Sequence, residues 1–243
     1  MFNDFVEVGI VRQLARYPVK SMRGEPLQVA QALATGLAGD RQYAFVREDA
    51  QNPAFPWLTA RQIPQMVQYR PVFADPTDVN SPLLVQTPNG RSLPLPSADL
   101  MYELAGAYGR LVELVRLDEG TFDSMPVSLL SLASVAALNA DVRRFRPNIL
   151  VETDSGEPFA EENWLGQAIT FSSGARIRLE KRIKRCSVVT VDPDTAATQP
   201  GLLQIITARR EGREGRTCLG VYASVERKGL IRVGDRVRLE NMA

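Results

Sequence analysis

The sequence predicts a mainly β protein with some helix, an α+β chain organised around a β-barrel. Three observations carry that expectation. Short runs rich in β-branched and aromatic residues recur through the 243 residues, and glycines, prolines and an Asn-Gly pair punctuate them. Apolar residues at helical spacing are confined to a few stretches. From residue 147 onward short strands follow one another between turn residues, the pattern of a closed or partly closed barrel.

In the first half, residues 6–19, 27–33, 43–46, 66–73 and 83–86 read as strands. They are broken by Gly24, by the turn Gly36-Leu37-Ala38-Gly39-Asp40 and by several prolines. Asn89-Gly90 accepts the positive φ of a tight turn and joins residues 83–87 to 91–95 as a hairpin. Ser97 is placed as the N-cap of a helix over residues 98–108, in which Leu100, Met101, Leu104 and Tyr108 recur at helical spacing and which Gly109 ends. In the second half, residues 111–115 and 127–130 are strands, and Ser134 caps a short helix with Val135, Leu138 and Val142 on one face. Residues 147–151, 168–171, 175–179, 187–191, 220–225 and 236–239 continue the β succession, with a helix over 201–210. A boundary near residue 118, after Leu117-Asp118-Glu119-Gly120, divides the chain into units at 1–118 and 119–243.

Composition narrows the function classes. With 29 basic and 28 acidic residues the net charge is +1, so no global field argues for nucleic acid or an anionic membrane as partner. No apolar run approaches the ~20 residues of a membrane helix. The first residues, Met1-Phe2-Asn3-Asp4-Phe5-Val6-Glu7, carry acids where a secretory signal has a basic region, and two cysteines make no disulfide framework, so the expected location is the cytoplasm.

The chain has no histidine, which removes Ser-His-Asp triads, His-assisted thiol proteases and His-bearing zinc sites. General bases and ligands reduce to carboxylate, lysine and thiolate. Cys186 follows Lys181, Arg182, Lys184 and Arg185, and cations favour the thiolate, the form that attacks or binds metal. It could be a half-buried strand-end cysteine, a nucleophile or sulfur carrier, or the single protein ligand of a soft metal whose other ligands come from a cofactor. Cys218 is expected to be a packed thiol. Cation-bearing turns interrupt the β framework at Tyr17-Pro18-Val19-Lys20-Ser21, Gly39-Asp40-Arg41, Leu58-Thr59-Ala60-Arg61 and Phe145-Arg146-Pro147-Asn148-Ile149. Arginine and lysine set against backbone amides and a hydroxyl suit a phosphate.

Taken in order, these motifs resemble the MOSC family, the C-terminal domain of molybdenum cofactor sulfurases, found also in the mitochondrial amidoxime-reducing component and its bacterial relatives. The N-terminal part, 1–118, resembles the family's β-barrel partner domain through Tyr17 to Ser21, Gly36 to Arg41, and Leu58-Thr59-Ala60-Arg61-Gln62-Ile63-Pro64. The MOSC part, 119–243, is carried by Phe145 to Ile149, Arg185-Cys186, Val191-Asp192-Pro193-Asp194-Thr195, Leu219-Gly220-Val221-Tyr222 and Ile231-Arg232-Val233-Gly234-Asp235.

The resemblance implies a molybdenum cofactor, a pyranopterin whose dithiolene binds molybdenum, with Cys186 completing the protein ligation. By the same likeness Lys20, Ser21 and Arg41 hold the terminal phosphate, Arg146 and Asn148 contact the pterin, and Ser131 and Ser134 add polar contacts. Asp192 either orients the site and accepts a proton or shapes the Asp192-Pro193 turn. The implied activity is reduction of small N-hydroxylated compounds with electrons from a separate donor protein. Carriage of the cofactor and sulfur transfer are the alternatives. Pyridoxal phosphate binding attaches to the family only at its broadest level. Two departures stand out: Arg182-Ile183-Lys184 holds no second cysteine, and Ala196 stands where relatives often have glycine.

Overall fold

Alternation of apolar and polar residues decides which strands face a common interior. The structure, a computed structural model, describes residues 5–117 and 121–240. The strands of the first half are β1 (Phe5–Arg16), β2 (Glu25–Leu27), β3 (Val29–Leu33), β4 (Gly36–Leu37), β5 (Tyr43–Arg47), β6 (Arg70–Phe73), β7 (Leu83–Gln86) and β8 (Ser92–Leu95). Helix α1 (Ala98–Tyr108) and β9 (Val112–Arg116) follow. The rest holds β10 (Val127–Ser131), α2 (Leu132–Ala136), β11 (Ile149–Thr153), β12 (Ala168–Phe171), β13 (Arg176–Lys184), α3 (Gly201–Arg209), β14 (Cys218–Arg227), β15 (Gly229–Arg232) and β16 (Arg236–Glu240).

Seven strands close a barrel in the order β11, β10, β14, β13, β12, β16, β1, and β1 returns to pair with β11. Closure removes the unpaired edges that an open sheet would expose. Neighbours run antiparallel except β10 and β11. On β13, Ile177 and Leu179 are buried between the less buried Arg176, Arg178 and Glu180, the two-residue period of a strand with one face inward. Val11, Leu129, Ile149, Val221 and Val237 fill the interior at 0% exposure. Gly220 lets β14 approach β10: its φ is +73°, and a Cβ there would lie 2.7 Å from the Leu129 carbonyl oxygen.

The first strand is therefore a stave of the larger barrel, although it precedes the rest of the N-terminal part. That part has its own core of Phe45, Leu58, Met66, Val85, Leu100 and Leu104. Among the described residues it is paired as β5 with β9 and as a β6–β7–β8 meander. The expected boundary near 118 falls at residues 118–120, outside the described residues.

Several local expectations need correcting. Residues 66–73 are not one strand: Pro64 opens a 3-10 turn over Pro64–Gln68, and only Arg70–Phe73 pairs as a strand. The short helix starts earlier than expected, capped by Ser131, whose hydroxyl accepts from the Ser134 amide, and Val142 opens a separate 3-10 turn. Residues 187–190 form a 3-10 turn rather than a strand, because Thr190 Oγ1 closes back on the Ser187 carbonyl at 2.7 Å and Arg144 holds the Thr190 carbonyl. Strand β15, not expected from the sequence, pairs with β3. Helix α1 follows expectation, with the Ser97 hydroxyl accepting from Leu100 N and Gly109 left-handed at φ 80°. No helix among the described residues is long and apolar enough to cross a membrane.

Candidate functional site

Where the N-terminal core meets the barrel, a cleft of about 230 Å³ gathers Lys20, Ser21, Arg41, Arg146, Arg185 and Cys186. Four stretches that are far apart in sequence thus line one cleft. Strand β13 runs out along β14, the Arg185 amide bonds the Thr217 carbonyl, and Cys186 follows as the extended residue before the 3-10 turn. Its thiol is partly exposed.

Three of the cleft residues are non-glycine residues with left-handed backbone: Ser21 (φ 66°), Arg41 (φ 46°) and Arg146 (φ 53°). Each costs about 1–3 kcal/mol that the surrounding structure must offset, and such residues cluster at functional sites. Arg41 is held on all sides. It bonds Asp40 Oδ2 at 2.5 Å, Asn148 Oδ1 at 2.9 Å and the Arg146 carbonyl at 3.2 Å, and pairs with Asp123 at 3.1 Å. The Tyr17 ring has Arg146 4.3 Å and Arg41 5.0 Å from its centroid, so it screens two guanidiniums that would otherwise repel. Burial raises the Tyr17 hydroxyl to about 12, and it donates to the Pro147 carbonyl.

The electrostatics are unbalanced. Lys20 is lowered to about 8, by burial first and then by Arg41 and Arg146, against the pull of Asp123 and of a Cys186 thiolate. Arg146 is lowered to about 10 by burial and by Arg41, and no carboxylate pairs with it among the described residues. Arg185 donates through Nε to the Leu219 carbonyl and through Nη1 to the Phe145 carbonyl, but its buried Nη2 has no partner. Two carboxylates oppose these four cations. Burial pushes Asp40 up, whereas Asp123, accepting from the Tyr222 hydroxyl at 2.7 Å, is held below its ordinary value because Arg41 and Lys20 outweigh its burial.

Not every expected residue reaches the cleft. Asn148 is fully buried beneath it, accepting from Arg41, Ser128 N and Ser128 Oγ and donating to the Ala15 carbonyl. Asp192 takes the turn-shaping option: Oδ1 accepts from the amides of Asp194 and Thr195 and from the Thr195 hydroxyl, while Oδ2 pairs with Arg144. Ser131 and Ser134 bond each other, and Ser134 donates to the buried Glu161, which burial pushes up; neither serine lines the cleft. Asp123 is a contribution that the motifs did not mark. Arg185 and Tyr222 lay within the Arg185-Cys186 and Leu219 to Tyr222 motifs, but neither was assigned a role in the site.

The donor set fits a cofactor that is anionic at one end and sulfur-seeking at the other. An unpartnered buried guanidinium nitrogen, a guanidinium without a counter-ion and a depressed lysine all favour an added anion. Among the described residues no three His, Cys, Asp or Glu side chains gather to hold a metal, so a metal here would take Cys186 as protein ligand and draw its others from a bound group.

Comparison with known proteins identifies the family. The chain matches the MOSC N-terminal beta barrel domain over residues 8–110 and the MOSC domain over 119–238. It is 29% identical to the mitochondrial amidoxime-reducing component 1 of Xenopus laevis, over 97% of this chain and 83% of that protein. It is 28% identical to the mitochondrial amidoxime reducing component 2 of Homo sapiens, over 95% and 83%. The crystal structure of the YUAD protein from Bacillus subtilis shares the fold, with a TM-score of 0.50 at 15% identity, covering 98% of this chain and all of that one. With both domains matched in succession along nearly its whole length, the chain belongs to the MOSC family.

Proposed function

We propose that this protein is a molybdenum-cofactor-dependent reductase of small N-hydroxylated compounds, served by a separate electron-donor protein. The observation that carries the reading is the single cleft in which an accessible thiol and four cations converge, one of them with an unused donor. The relatives named as amidoxime-reducing components supply the reaction class.

Cys186 would be the protein's ligand to molybdenum. Lys20, Ser21 and Arg41 would hold the terminal phosphate, the lysine as a point charge and the arginine as a fixed donor. Arg146 and Arg185 would lie along the body of the cofactor, and Arg185 Nη2 would find there the acceptor it otherwise lacks. Asn148 acts one layer down: it fixes Arg41 and does not touch the ligand. When bound, the cofactor would supply the two-electron centre for N–O cleavage. The protein contributes position, charge and exclusion of water, with Phe55 and Phe145 on the apolar side of the cleft. Residence in the cytoplasm belongs to the same proposal.

The test is turnover of the purified, chemically reduced protein on benzamidoxime. Conversion to benzamidine, lost in Cys186→Ala, supports reduction. Cofactor that passes readily into a cofactor-free enzyme without benzamidoxime turnover would point to carriage instead, and a persulfide on Cys186 in metal-free protein would point to sulfur transfer.

A further inference from the structure

Behind the Arg146 side of the cleft lies a second, larger cavity of about 360 Å³, within the range of small-molecule sites. Its walls are largely apolar, with Leu14, Leu27, Val67, Leu150, Val191 and Val233 among them. It is also lined by six arginines, at 12, 23, 70, 143, 144 and 146, and by no aspartate or glutamate. In a chain of net charge +1 that concentration is local.

Most of these guanidiniums are engaged from behind. Arg144 pairs with Asp192, Arg143 with Asp141 and Asp194, Arg12 with Glu152, and Arg23 with Asp194. Three groups are left over. Arg70 has no ion pair among the described residues, Arg146 reaches only the Met22 carbonyl from its place on the shared wall, and Arg23 Nε is buried without a partner. Arg23 and Arg70 also line a neighbouring polar cavity of about 400 Å³ whose wall includes Gln68, Gln86, Thr87 and one carboxylate, Asp194, already shared between Arg23 and Arg143, so they stand where an apolar chamber meets a polar one. A buried donor without an acceptor is unfavourable, and an anionic head group at that junction would relieve it.

We propose that this junction is a binding site for a small amphipathic anion, with a carboxylate or phosphate-monoester head held by Arg23 and Arg70 and an apolar tail in the chamber lined by Leu14, Leu150 and Val233. The site is distinct from the cofactor cleft but shares Arg144, Arg146 and Val188 with it as a common wall. Occupancy would therefore bear on the face of Arg146 opposite the cleft. The inference does not depend on the cofactor reading.

Calorimetric titration of the full-length, cofactor-free protein with octanoate, octyl phosphate, octanol and octyltrimethylammonium tests it. The expected result is saturable binding of octanoate or octyl phosphate, at least tenfold weaker binding of octanol and none of the cation. The preference between the two anions identifies the head group. Arg70→Gln, at an exposed position, should weaken the anion at least fivefold at unchanged melting temperature, and Arg23→Gln should do the same, whereas Cys186→Ala should leave it unaltered. Equal binding of octanoate and octanol, no binding of either anion, or loss of binding in Cys186→Ala with Arg70→Gln unaffected would overturn the proposal. None of these results bears on whether the cleft takes a molybdenum cofactor.

Discussion

Replacing Asn148 with alanine should destabilise the fold far more than its size suggests. The side chain is fully buried and makes four hydrogen bonds: it accepts from Ser128 N at 3.0 Å, Ser128 Oγ at 2.9 Å and Arg41 Nη1 at 2.9 Å, and donates to the Ala15 carbonyl at 3.1 Å. Arg41 would keep Asp40, and the Ser128 hydroxyl could turn to the Arg146 carbonyl, 3.5 Å away. Ser128 N and the Ala15 carbonyl oxygen would lose those partners. At about 1–3 kcal/mol for each stranded buried group, plus the lost contacts, Asn148→Ala should cost about 3–5 kcal/mol. For a chain of this size that is a fall in melting temperature on the order of 10 °C. Chemical denaturation monitored by tryptophan fluorescence measures it, with both variants compared at the same slope. A loss below about 1 kcal/mol would refute the reasoning, since it would mean that the network linking β1, β10 and Arg41 is not what the burial implies.

The remaining predictions concern the cleft and the barrel. Pyrophosphate should bind the cofactor-free protein through a charged Lys20, so affinity should hold below about pH 8 and weaken as pH rises through it, while Lys20→Met should give a flat, weaker profile. The linkage sign for folding is the reverse: because the folded-state value lies below the unfolded one, Lys20 destabilises the fold in acid and neutral solution, and that cost fades as pH rises from about 8 toward the ordinary lysine value. Asp123→Asn should move the binding midpoint lower, because Asp123 is the main group that supports the Lys20 charge, and isothermal titration across pH would show it. Gly220→Ala should cost about 2–4 kcal/mol, since its left-handed backbone and the Leu129 carbonyl 2.7 Å from a new Cβ act together; an unchanged melting temperature would contradict the packing of β14 on β10.

How much of this was legible in the residues differs between fold and site. Runs of β-branched and aromatic residues between turn residues marked most barrel strands, Asn89-Gly90 marked the β7–β8 turn, and Ser97 and Gly109 marked the ends of α1, because those are local preferences with local causes. The turn at 187–190 was misread because Val188 and Val189 look like a strand until Arg144 and Thr190 impose the 3-10 geometry from outside the segment. Membership of β1 in the larger barrel was invisible for the same reason: its partners begin at Ile149 and Arg236. In the cleft, Lys20, Ser21, Arg41, Arg146 and Cys186 could be named from motifs, and they do converge. Sequence could not tell which polar groups end up facing ligand and which face protein. Asn148, Ser131, Ser134 and Asp192 all carried suitable chemistry, yet buried partners or local turn bonds occupy them.

The most direct measurement of the central claim is the molybdenum and pterin content of the protein purified from a cofactor-competent host, beside Cys186→Ala and Arg41→Met. A single cleft that joins a metal ligand to an anion clamp predicts matched molybdenum and pterin in the unaltered chain, metal lost in Cys186→Ala, and both lost in Arg41→Met. A metal-free unaltered protein, or two variants as fully loaded as it is, would contradict the account.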